Sequence, residues 1–425
     1  MGDKLALFGG PKAVTRDWAE TVRWPIITEQ DETAVLEVLR TGDMSGTDVT
    51  KRFEAEFGAY HDMPYCLAHV NGTAALHAAM FACGVGAGDE ILCPSVTYWA
   101  SALPSFSLQA SVVFAESDLD TLNIDPTDIA HRITPRTKAI IVVHYCGYPC
   151  EMDEIMAIAR QHRIKVIEDV SHAQGALYKG KMTGTFGDVA AMSLMSQKSL
   201  VAGEAGMLMT RDRRLWERAV AFGHYERHED LTEPDLVRHK GYPLGGVKYR
   251  LNQLASALGR SQLRRYSERI EEIQRAMNYF WDLLDGCPGV KAHRPPKGSG
   301  STMGGWYAAK GLYRAEELGG LDIGRFCEAI RAEGSVAWPG ANGPMHLHPV
   351  LNDADIYGHG KPTRIAHSDR DLRQMPGTLP VSERLGRTCY AIPHFARFHK
   401  EVIEEHATAF KKVAENARVL LEERS

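Results

Sequence analysis

The chain has 425 residues, longer than one typical hydrophobic core, so its length favours two domains that share an interface. Its formal net charge of −5, with 24% charged residues, gives no reason to expect nucleic acid or an anionic membrane as a partner. No apolar run approaches the roughly 20 residues that a membrane-spanning helix needs. These values predict a globular protein that binds neither membrane nor nucleic acid.

The eight cysteines are scattered and mostly lie in apolar stretches, which predicts buried free thiols. Cys146 and Cys150 form a C-x3-C pair with no second pair nearby, so we predict no metal site. The first eight residues lack the basic start and long apolar stretch of a signal peptide. Together these features predict a cytoplasmic protein.

From about residue 50 to 210, helix-like and strand-like segments alternate along the chain. The stretch "VTKRFEAEFGAY" places Phe53, Phe57 and Tyr60 on one helical face. The runs "DEILCPS", "ASVVFAE", "KAIIVVHY" and "KVIED" are continuously apolar, as expected of strands covered on both faces. Repeated strand–helix–strand units predict an α/β fold with a mostly parallel central sheet flanked by helices.

The last third of the chain has a different pattern. Apolar residues recur at spacings of three and four from Leu263 to Leu284, which predicts one long amphipathic helix that stops at "DGCPGV". The segment from Lys400 to Glu423 is also helical by its pattern. We therefore predict an N-terminal arm and a large α/β domain over residues 1–262, and a smaller α+β C-terminal domain over residues 263–425 that begins with the long amphipathic helix.

Four stretches follow predicted strands, where open α/β sheets bind their ligands. In the first, "VNGTAALHAA", Gly72 and Thr73 stand at the start of a helix. Gly72 lets backbone N–H groups approach an anion, and Thr73 adds a hydroxyl donor. An ordinary N-cap explains the same residues when they are taken alone. The turn is therefore a candidate phosphate site.

The next two stretches add an aromatic ring and a carboxylate. In "CPSVTYWAS", Tyr98 follows a strand and could stack on a flat heteroaromatic ring, although most such aromatics belong to a core. In "VIEDVSHAQG", Asp169 ends an apolar strand, where an unpaired carboxylate is costly, so a protonated pyridine nitrogen would be a suitable partner. His172 could orient this carboxylate or cover the ring. The alternative is that Asp169 merely caps the next helix.

The fourth stretch, "SLMSQKSLVAGEAGMLMT", contains Ser193 and Lys198. Its glycines let the chain turn sharply beside a bulky ligand, and desolvation would lower the pKa of Lys198 enough for attack on a carbonyl. A lone lysine in such a loop is more often a surface charge. The ordered set of anion turn, aromatic ring, strand-end Asp169 and Lys198 is more specific, because it supplies what pyridoxal 5′-phosphate needs.

These stretches resemble the DegT/DnrJ/EryC1/StrS family of sugar aminotransferases, which are fold type I pyridoxal-phosphate enzymes. The resemblance spans nearly the whole chain and includes "SGTDVTKRFEAEFGAY", "GDEILCPSVTYWAS" and "VIEDVSHAQGALYKGKMTGTFGD". It implies a Schiff base between Lys198 and the cofactor, with Lys198 and Asp169 as the catalytic residues. The implied contacts are Gly72, Thr73 and Ser193 at the phosphate, Tyr98 and His172 at the ring, and Asp169 at the ring nitrogen.

Three features depart from the family pattern. The usual GEGG motif ends with Ala205-Gly206 here, which is tolerable where Ala205 needs no positive φ. The stretch "GGVKYRLNQLASALG" resembles the segment that reaches the partner subunit's phosphate, with Arg250 retained and Lys248 in place of the usual Asn. A lysine still binds phosphate as a point charge. Finally, "SLMSQK" lacks the commoner Phe and His of that segment.

The resemblance implies a ping-pong aminotransferase that moves an amino group from glutamate or glutamine to a keto-sugar or keto-cyclitol. It places the reaction in the biosynthesis of amino sugars, cell-surface polysaccharides or aminoglycosides, and it implies a homodimer with shared active sites. The stretch "GTLPVSERLGRTCYAIPHFAR" is similar to the cyclitol branch and its aminohydroxybenzoate-synthase relatives. Three histidines either face the substrate or are loop and core residues: His346, His348 and His394.

Two alternatives stay open at this point. A pyridoxal-phosphate dehydratase or lyase has the same fold, but related sugar dehydratases use histidine where this chain has Lys198. A desulfurase-like lyase needs an exposed cysteine in a loop, for which Cys287 is the candidate. A non-catalytic sugar-binding regulator would not need Lys198, Asp169 and Thr73 together. We therefore expect an enzyme that catalyses transamination.

Overall fold

The structure, a computed structural model, describes residues 4–422. Its strands up to residue 210 are β1 (Tyr65–His69), β2 (Glu90–Pro94), β3 (Ser111–Ala115), β4 (Thr137–Val143), β5 (Lys165–Asp169), β6 (Leu177–Tyr178), β7 (Lys181–Met182), β8 (Val189–Ser193) and β9 (Gly206–Thr210). The later strands are β10 (Val290–Ala292), β11 (Lys310–Tyr313), β12 (Trp338–Pro339) and β13 (Cys389–Ala391).

The α-helices lie mostly between and after these strands. Those before residue 240 are α1 (Ala19–Val22), α2 (Glu29–Thr41), α3 (Asp48–His61), α4 (Gly72–Ala82), α5 (Pro126–Arg132), α6 (Met152–His162), α7 (Arg213–Gly223) and α8 (Pro234–Val237). Those after it are α9 (Gln253–Arg264), α10 (Tyr266–Leu283), α11 (Ile323–Ala332), α12 (Pro349–Asn352), α13 (Pro380–Arg384), α14 (Lys400–Glu415) and α15 (Ala417–Glu422).

The central sheet has seven strands in the order β1-β9-β8-β5-β4-β2-β3. Strands β8, β5, β4, β2 and β3 run parallel, and β9 pairs antiparallel with both β1 and β8. Asp169 is in register with Val143 on one side and Ala191 on the other. The predicted α/β fold with a mostly parallel sheet is confirmed, and the carboxyl ends of β4, β5 and β8 share one edge.

Helix α3 packs with the face that its apolar pattern predicts. Phe53 and Phe57 are fully buried, and Tyr60 is half-buried against the same core. Gly259 of α9 lies so close to Phe53 that a Cβ there would be 2.6 Å from the ring. The glycine therefore sets how closely α9 approaches α3, because any side chain would push the two helices apart.

A second, antiparallel sheet has the order β10-β11-β13-β12 and lies in the last third of the chain. Helices α10, α11 and α14 cover it, with Phe280, Phe326 and Phe410 fully buried in its core. This sheet with its helices matches the smaller α+β unit expected from the sequence. Leu5 packs in the same core, so the N-terminal arm also contributes to it. The division at residue 262 stays a prediction.

Two predicted helices differ in detail from the structure. The helix expected from Leu263 begins only at Tyr266, because Arg265 leaves the helical conformation and its guanidinium donates to Thr28 and Asp31. The C-terminal helix is interrupted at Asn416 and resumes as α15. Its expected last residue, Glu423, lies outside the described residues. Apolar periodicity does not reveal such single-residue breaks, since both sides keep the same buried face.

All eight cysteines are buried, as the sequence predicts, and none is paired in a disulfide. Burial raises the pKa of Cys287 to about 11, so its thiol is not an activated nucleophile. Over residues 4–422, no helix has the length and apolar character needed to cross a membrane.

Candidate active site

A cavity of about 750 Å³ lies at the carboxyl edge of the parallel strands. It is lined by most of the residues that the sequence singles out: Gly72, Thr73, Tyr98, Asp169, His172, Ser193 and Lys198. These side chains come from four separate strand ends, and the sheet register brings them to one place. Lys248 and Arg250 are not among the residues that line this cavity.

The N-terminus of α4 forms one end of the cavity. The first N–H groups of a helix have no acceptor within it, while the Asn71 side chain accepts the N–H of Ala74 at 2.8 Å. A Cβ on Gly72 would lie 2.7 Å from the Cβ of Ser193, so only glycine allows this approach. The helix dipole, the Ser193 hydroxyl and the Thr73 hydroxyl thus offer a compact cradle for an anion.

Asp169 lies at the last position of β5 and is buried. One carboxylate oxygen accepts the hydroxyl of Ser101 at 2.8 Å, and the other accepts the N–H of Ser171 at 3.1 Å. These two donors fix the orientation of the carboxylate. Between residues 4 and 422 no cationic side chain forms a hydrogen bond with this buried carboxylate, so it is well suited to a ligand that brings a protonated nitrogen.

His172 is buried beside this carboxylate and is neutral. Burial, together with the positive charges of Lys198 and Lys310, lowers the pKa of His172 well below its usual range. Its Nδ1 accepts the N–H of Cys146 at 3.3 Å, and its ring packs against Tyr307 with centroids 4.6 Å apart. His172 is therefore a fixed, uncharged ring on the cavity wall.

Lys198 lies in the loop between β8 and β9 and is only 7% exposed. Burial lowers the pKa of its ammonium to about 8, although the nearby Asp169 carboxylate opposes this shift. The Nζ atom lies 3.8 Å from the ring centroid of Tyr307, and the indole N–H of Trp24 donates to the Lys198 carbonyl at 3.0 Å. A lysine with this pKa is partly neutral at physiological pH and can act as a nucleophile.

The loop around Lys198 tolerates its departure from the family motif. Gly203 has a φ of +83°, which favours glycine, whereas Ala205 is not among the residues with positive φ. The next residue must stay glycine, because a Cβ on Gly206 would lie 2.2 Å from the carbonyl oxygen of Asn71. The alanine therefore replaces a glycine that this backbone does not require. Met195, in the altered "SLMSQK" stretch, lines the cavity.

Lys248 and Arg250 lie outside the lining of the cavity. Lys248 is exposed, and its ammonium is 5.9 Å from the ring centroid of Tyr225. Arg250 is half-buried and forms an isolated backbone bridge with His69, the last residue of β1. Their expected contact with the phosphate of a partner subunit stays a prediction.

The three C-terminal histidines do not line this cavity. His346 is buried, with its Nδ1 bonded to the Ser95 hydroxyl at 2.7 Å and its Nε2 to Glu383 at 3.1 Å. His348 is exposed and accepts the N–H of Val350. His394 donates to a backbone carbonyl and lines a smaller, separate cavity of about 380 Å³. The structure favours the interpretation that these are core and loop histidines over the interpretation that they face the substrate.

Sequence reasoning missed several residues that line the cavity, among them Tyr307 just before β11, Lys310 at the start of β11 and Asn342 after β12. The Tyr145 hydroxyl donates to the Asn342 side chain at 2.7 Å and accepts the Asn342 N–H at 3.0 Å. These residues carry no local motif, and only the packing of the second sheet against the first brings them to the site.

A buried acid–histidine pair that sequence reasoning also missed supports the end of β5. Glu168 and His144 are fully buried and bonded at 3.0 Å. Burial opposes ionisation of Glu168, but hydrogen bonds from His144 and from backbone N–H groups outweigh it and lower the pKa of Glu168. The pair anchors the 184–187 loop to β5 and so helps to fix the neighbouring Asp169.

These residues fit pyridoxal phosphate. The anion cradle at Gly72 suits the phosphate, Asp169 suits the ring nitrogen, and Lys198 suits the aldehyde. Tyr98 is 51% exposed at the cavity wall, where an aromatic ring is available to a flat ligand. The close approach of Gly72 to Ser193 is the specific observation, because it brings Ser193 beside the first turn of α4, where an anion would be bound.

Comparison with known proteins gives the same assignment. Residues 25–411 match the model of the DegT/DnrJ/EryC1/StrS aminotransferase family. The chain is 31% identical to the L-glutamine:2-deoxy-scyllo-inosose aminotransferase of Streptomyces kanamyceticus over 99% of both chains. It is 34% identical to the GDP-perosamine synthase of Escherichia coli O157:H7 over 80% of this chain and 92% of that one.

A solved structure extends this similarity to the fold. The aminotransferase of Psychrobacter cryohalolentis superposes with a TM-score of 0.79 at 28% identity, over 93% of this chain and 99% of that chain. Fold and site together define a fold type I enzyme that depends on pyridoxal phosphate. The chain belongs to the DegT/DnrJ/EryC1/StrS aminotransferase family, and the protein is a sugar aminotransferase of that class.

Proposed function

We propose that this protein transfers the amino group of L-glutamine or L-glutamate to the ketone of a cyclitol or a sugar. The observation that carries this proposal is Lys198, a buried amine with a pKa near 8 that shares one cavity with Asp169. The cyclitol is supported by the inosose aminotransferase of Streptomyces kanamyceticus, which aligns over 99% of both chains. The hydroxyl and amide groups of Tyr145 and Asn342 at the cavity suit a polyhydroxylated ring.

In this proposal each site residue has a separate task. Pyridoxal phosphate, when bound, supplies an aldehyde and a ring that accepts electrons. Lys198 would hold the cofactor through Nζ and would act as the general base that removes the proton from the donor's Cα. Asp169 would keep the ring nitrogen protonated. His172 and Tyr307 enclose the amine and limit its contact with water.

We also propose that the enzyme is a cytoplasmic homodimer in which each subunit completes the other's site, with a role in amino-sugar, cell-surface polysaccharide or aminoglycoside biosynthesis. Arg250 and Lys248 lie outside the cavity of their own chain, which supports a role in the partner's site. The alternatives are weaker: the buried Cys287 is no desulfurase nucleophile, and Lys198 stands where dehydratases have histidine.

The test is the visible absorption spectrum of purified protein, for the wild type and Lys198→Ala, before and after addition of L-glutamine or L-glutamate. We expect a cofactor band that depends on Lys198 and disappears when the donor is added. Ketones are then screened for recovery of the band, beginning with 2-deoxy-scyllo-inosose and scyllo-inosose. A band that persists with both donors would exclude this function and favour a lyase or dehydratase.

A further inference from the structure

A second lysine of the cavity, Lys310, has no counter-ion among residues 4–422. Lys310, at the start of β11, is half-buried and lines the same cavity as Lys198. Its ammonium donates to the carbonyl of Gly340 at 2.7 Å and forms no salt bridge with any residue between 4 and 422. An ammonium has three N–H donors, so two of them stay available to a ligand. A carboxylate that accepts from these N–H groups forms a charge-assisted hydrogen bond, which is stronger than one between neutral groups.

In the proposed function, the other charged groups of the cavity either bind parts of the cofactor or repel an anion. Asp169 is committed to the ring nitrogen, and Lys198 is the residue that attaches to the aldehyde. The phosphate cradle lies at the turn of Gly72, at the end of α4. Glu204 is exposed and negative, so it repels an anionic ligand. Lys310 is thus the cation of the described cavity lining that stays free for an anionic substrate group.

We propose that Lys310 binds the α-carboxylate of the amino donor and of the keto acid formed from it. This inference rests on the proposed function. In any amino-acid donor, the carboxylate is attached to the same carbon that loses its proton to Lys198, so its binding group must lie near that lysine. Tyr307, three residues before Lys310, carries its ring 3.8 Å from Lys198 Nζ. Lys198 and Lys310 also lie close enough to His172 for their positive charges to lower its pKa.

The position of Lys310 is fixed before any ligand binds. The Lys310 ammonium donates to the carbonyl of Gly340. The N–H of Gly340 in turn donates to the backbone carbonyl of Cys389 at 2.9 Å. Two residues further on, Asn342 is bonded twice to the Tyr145 hydroxyl. Strand β11 itself pairs with β13, with Lys310 opposite Ala391. Such pre-organisation lowers the entropy lost when a carboxylate is bound.

The experiment measures binding rather than turnover. The probes are α-methyl-L-glutamine and α-methyl-L-glutamate, which have no α-hydrogen to lose, each compared with its α-carboxamide. We expect the wild-type enzyme with its cofactor to bind one of the acids about 10- to 100-fold more tightly than its amide, the usual range for a charged hydrogen bond. Lys310→Met removes this preference, and Lys310→Arg keeps most of it. Calorimetric titration gives all the affinities.

Lys291→Met is the matched control, because Lys291 lies on the neighbouring strand β10 and is paired with Asp120 outside the cavity. It should keep the wild-type preference. The KM for the donor should rise in Lys310→Met while the KM for the ketone does not. Equal binding of acid and amide by the wild type, or a preference that survives in Lys310→Met with an unchanged cofactor spectrum, overturns the inference. Loss of the donor half-reaction in the wild type would instead reject the proposed function.

Discussion

The environment of Lys198 decides at which pH the enzyme takes up its cofactor. Its pKa of about 8 lies well below the usual 10.5 of a lysine because burial disfavours the ammonium. The neutral amine attacks the aldehyde, so below this pKa the reactive fraction rises about tenfold per pH unit. We expect the rate of cofactor attachment to the apoprotein to rise with pH and to level off near pH 8, measured by stopped-flow absorbance.

The replacement Asp169→Asn provides a second measurement on the same amine. The Asp169 carboxylate raises the pKa of Lys198, so its removal should shift the inflection to lower pH. An inflection near 10 in the wild type, as for free lysine, would mean that Lys198 is not desolvated. A shift to higher pH in Asp169→Asn would mean that the two groups do not interact as the structure indicates.

Site residues at or shortly after the ends of predicted strands were found from the sequence. Site residues from the last third of the chain were missed. Asp169 ends the apolar run of β5 and Lys198 lies in the loop that follows β8, so recognition of these two strands was enough to place both residues at the same edge of the sheet. Lys310 belongs to the second sheet and Tyr307 to the turn before it, and nothing in "GGWYAAKG" indicates a ligand. Their approach to Lys198 depends on how two hydrophobic cores pack together, which local patterns do not contain.

At the scale of elements, the contact between α4 and the end of β8 is the most constrained part of the site. A Cβ on Gly72 would lie 2.7 Å from the Cβ and 2.9 Å from the backbone nitrogen of Ser193. Backbone atoms cannot move aside cheaply, so Gly72→Ala should displace the helix N-terminus from the cradle. We expect cofactor affinity to fall about 10- to 100-fold, consistent with the usual cost of overpacking.

Absorbance titration of the apoprotein with pyridoxal phosphate measures this affinity, and thermal unfolding shows whether the fold is retained. Gly386→Ala is the control, because no described atom lies within 4 Å of its added Cβ and its φ is not positive. Its affinity should equal that of the wild type. Unchanged affinity in Gly72→Ala would mean that the close approach to Ser193 does not shape the phosphate site.

Helices and strands were predicted correctly where a single pattern of apolar residues spans a single element. The continuous apolar runs became β2 to β5, and the packing face of α3 is as expected. The start of α10 was misplaced because Leu263 continues the apolar stripe although it belongs to α9. The break at Arg265 comes from its bonds to Thr28 and Asp31, more than 230 residues away in the chain.

At the scale of the whole molecule, two features support the proposed dimer. Tyr242 is 79% exposed, and Leu244 is also exposed in the segment that leads to Lys248 and Arg250. Exposed apolar side chains that lie close together are typical of an interface. The two cationic residues lie outside the cavity of their own chain, although their family segment is expected at a phosphate. A second copy of the chain would account for both observations.

Subunit mixing tests whether sites are shared. Lys198→Ala and Arg250→Ala should each be inactive alone. In a mixed dimer, one site receives Lys198 from the second chain and Arg250 from the first, so it is intact. With random pairing, half of the dimers are mixed and each has one intact site, so about a quarter of wild-type activity should return.

Mixing Lys198→Ala with Asp169→Asn is the control and should restore nothing, because both residues serve the site of their own chain. Activity that stays at the level of the parents would mean that Arg250 does not act across the dimer.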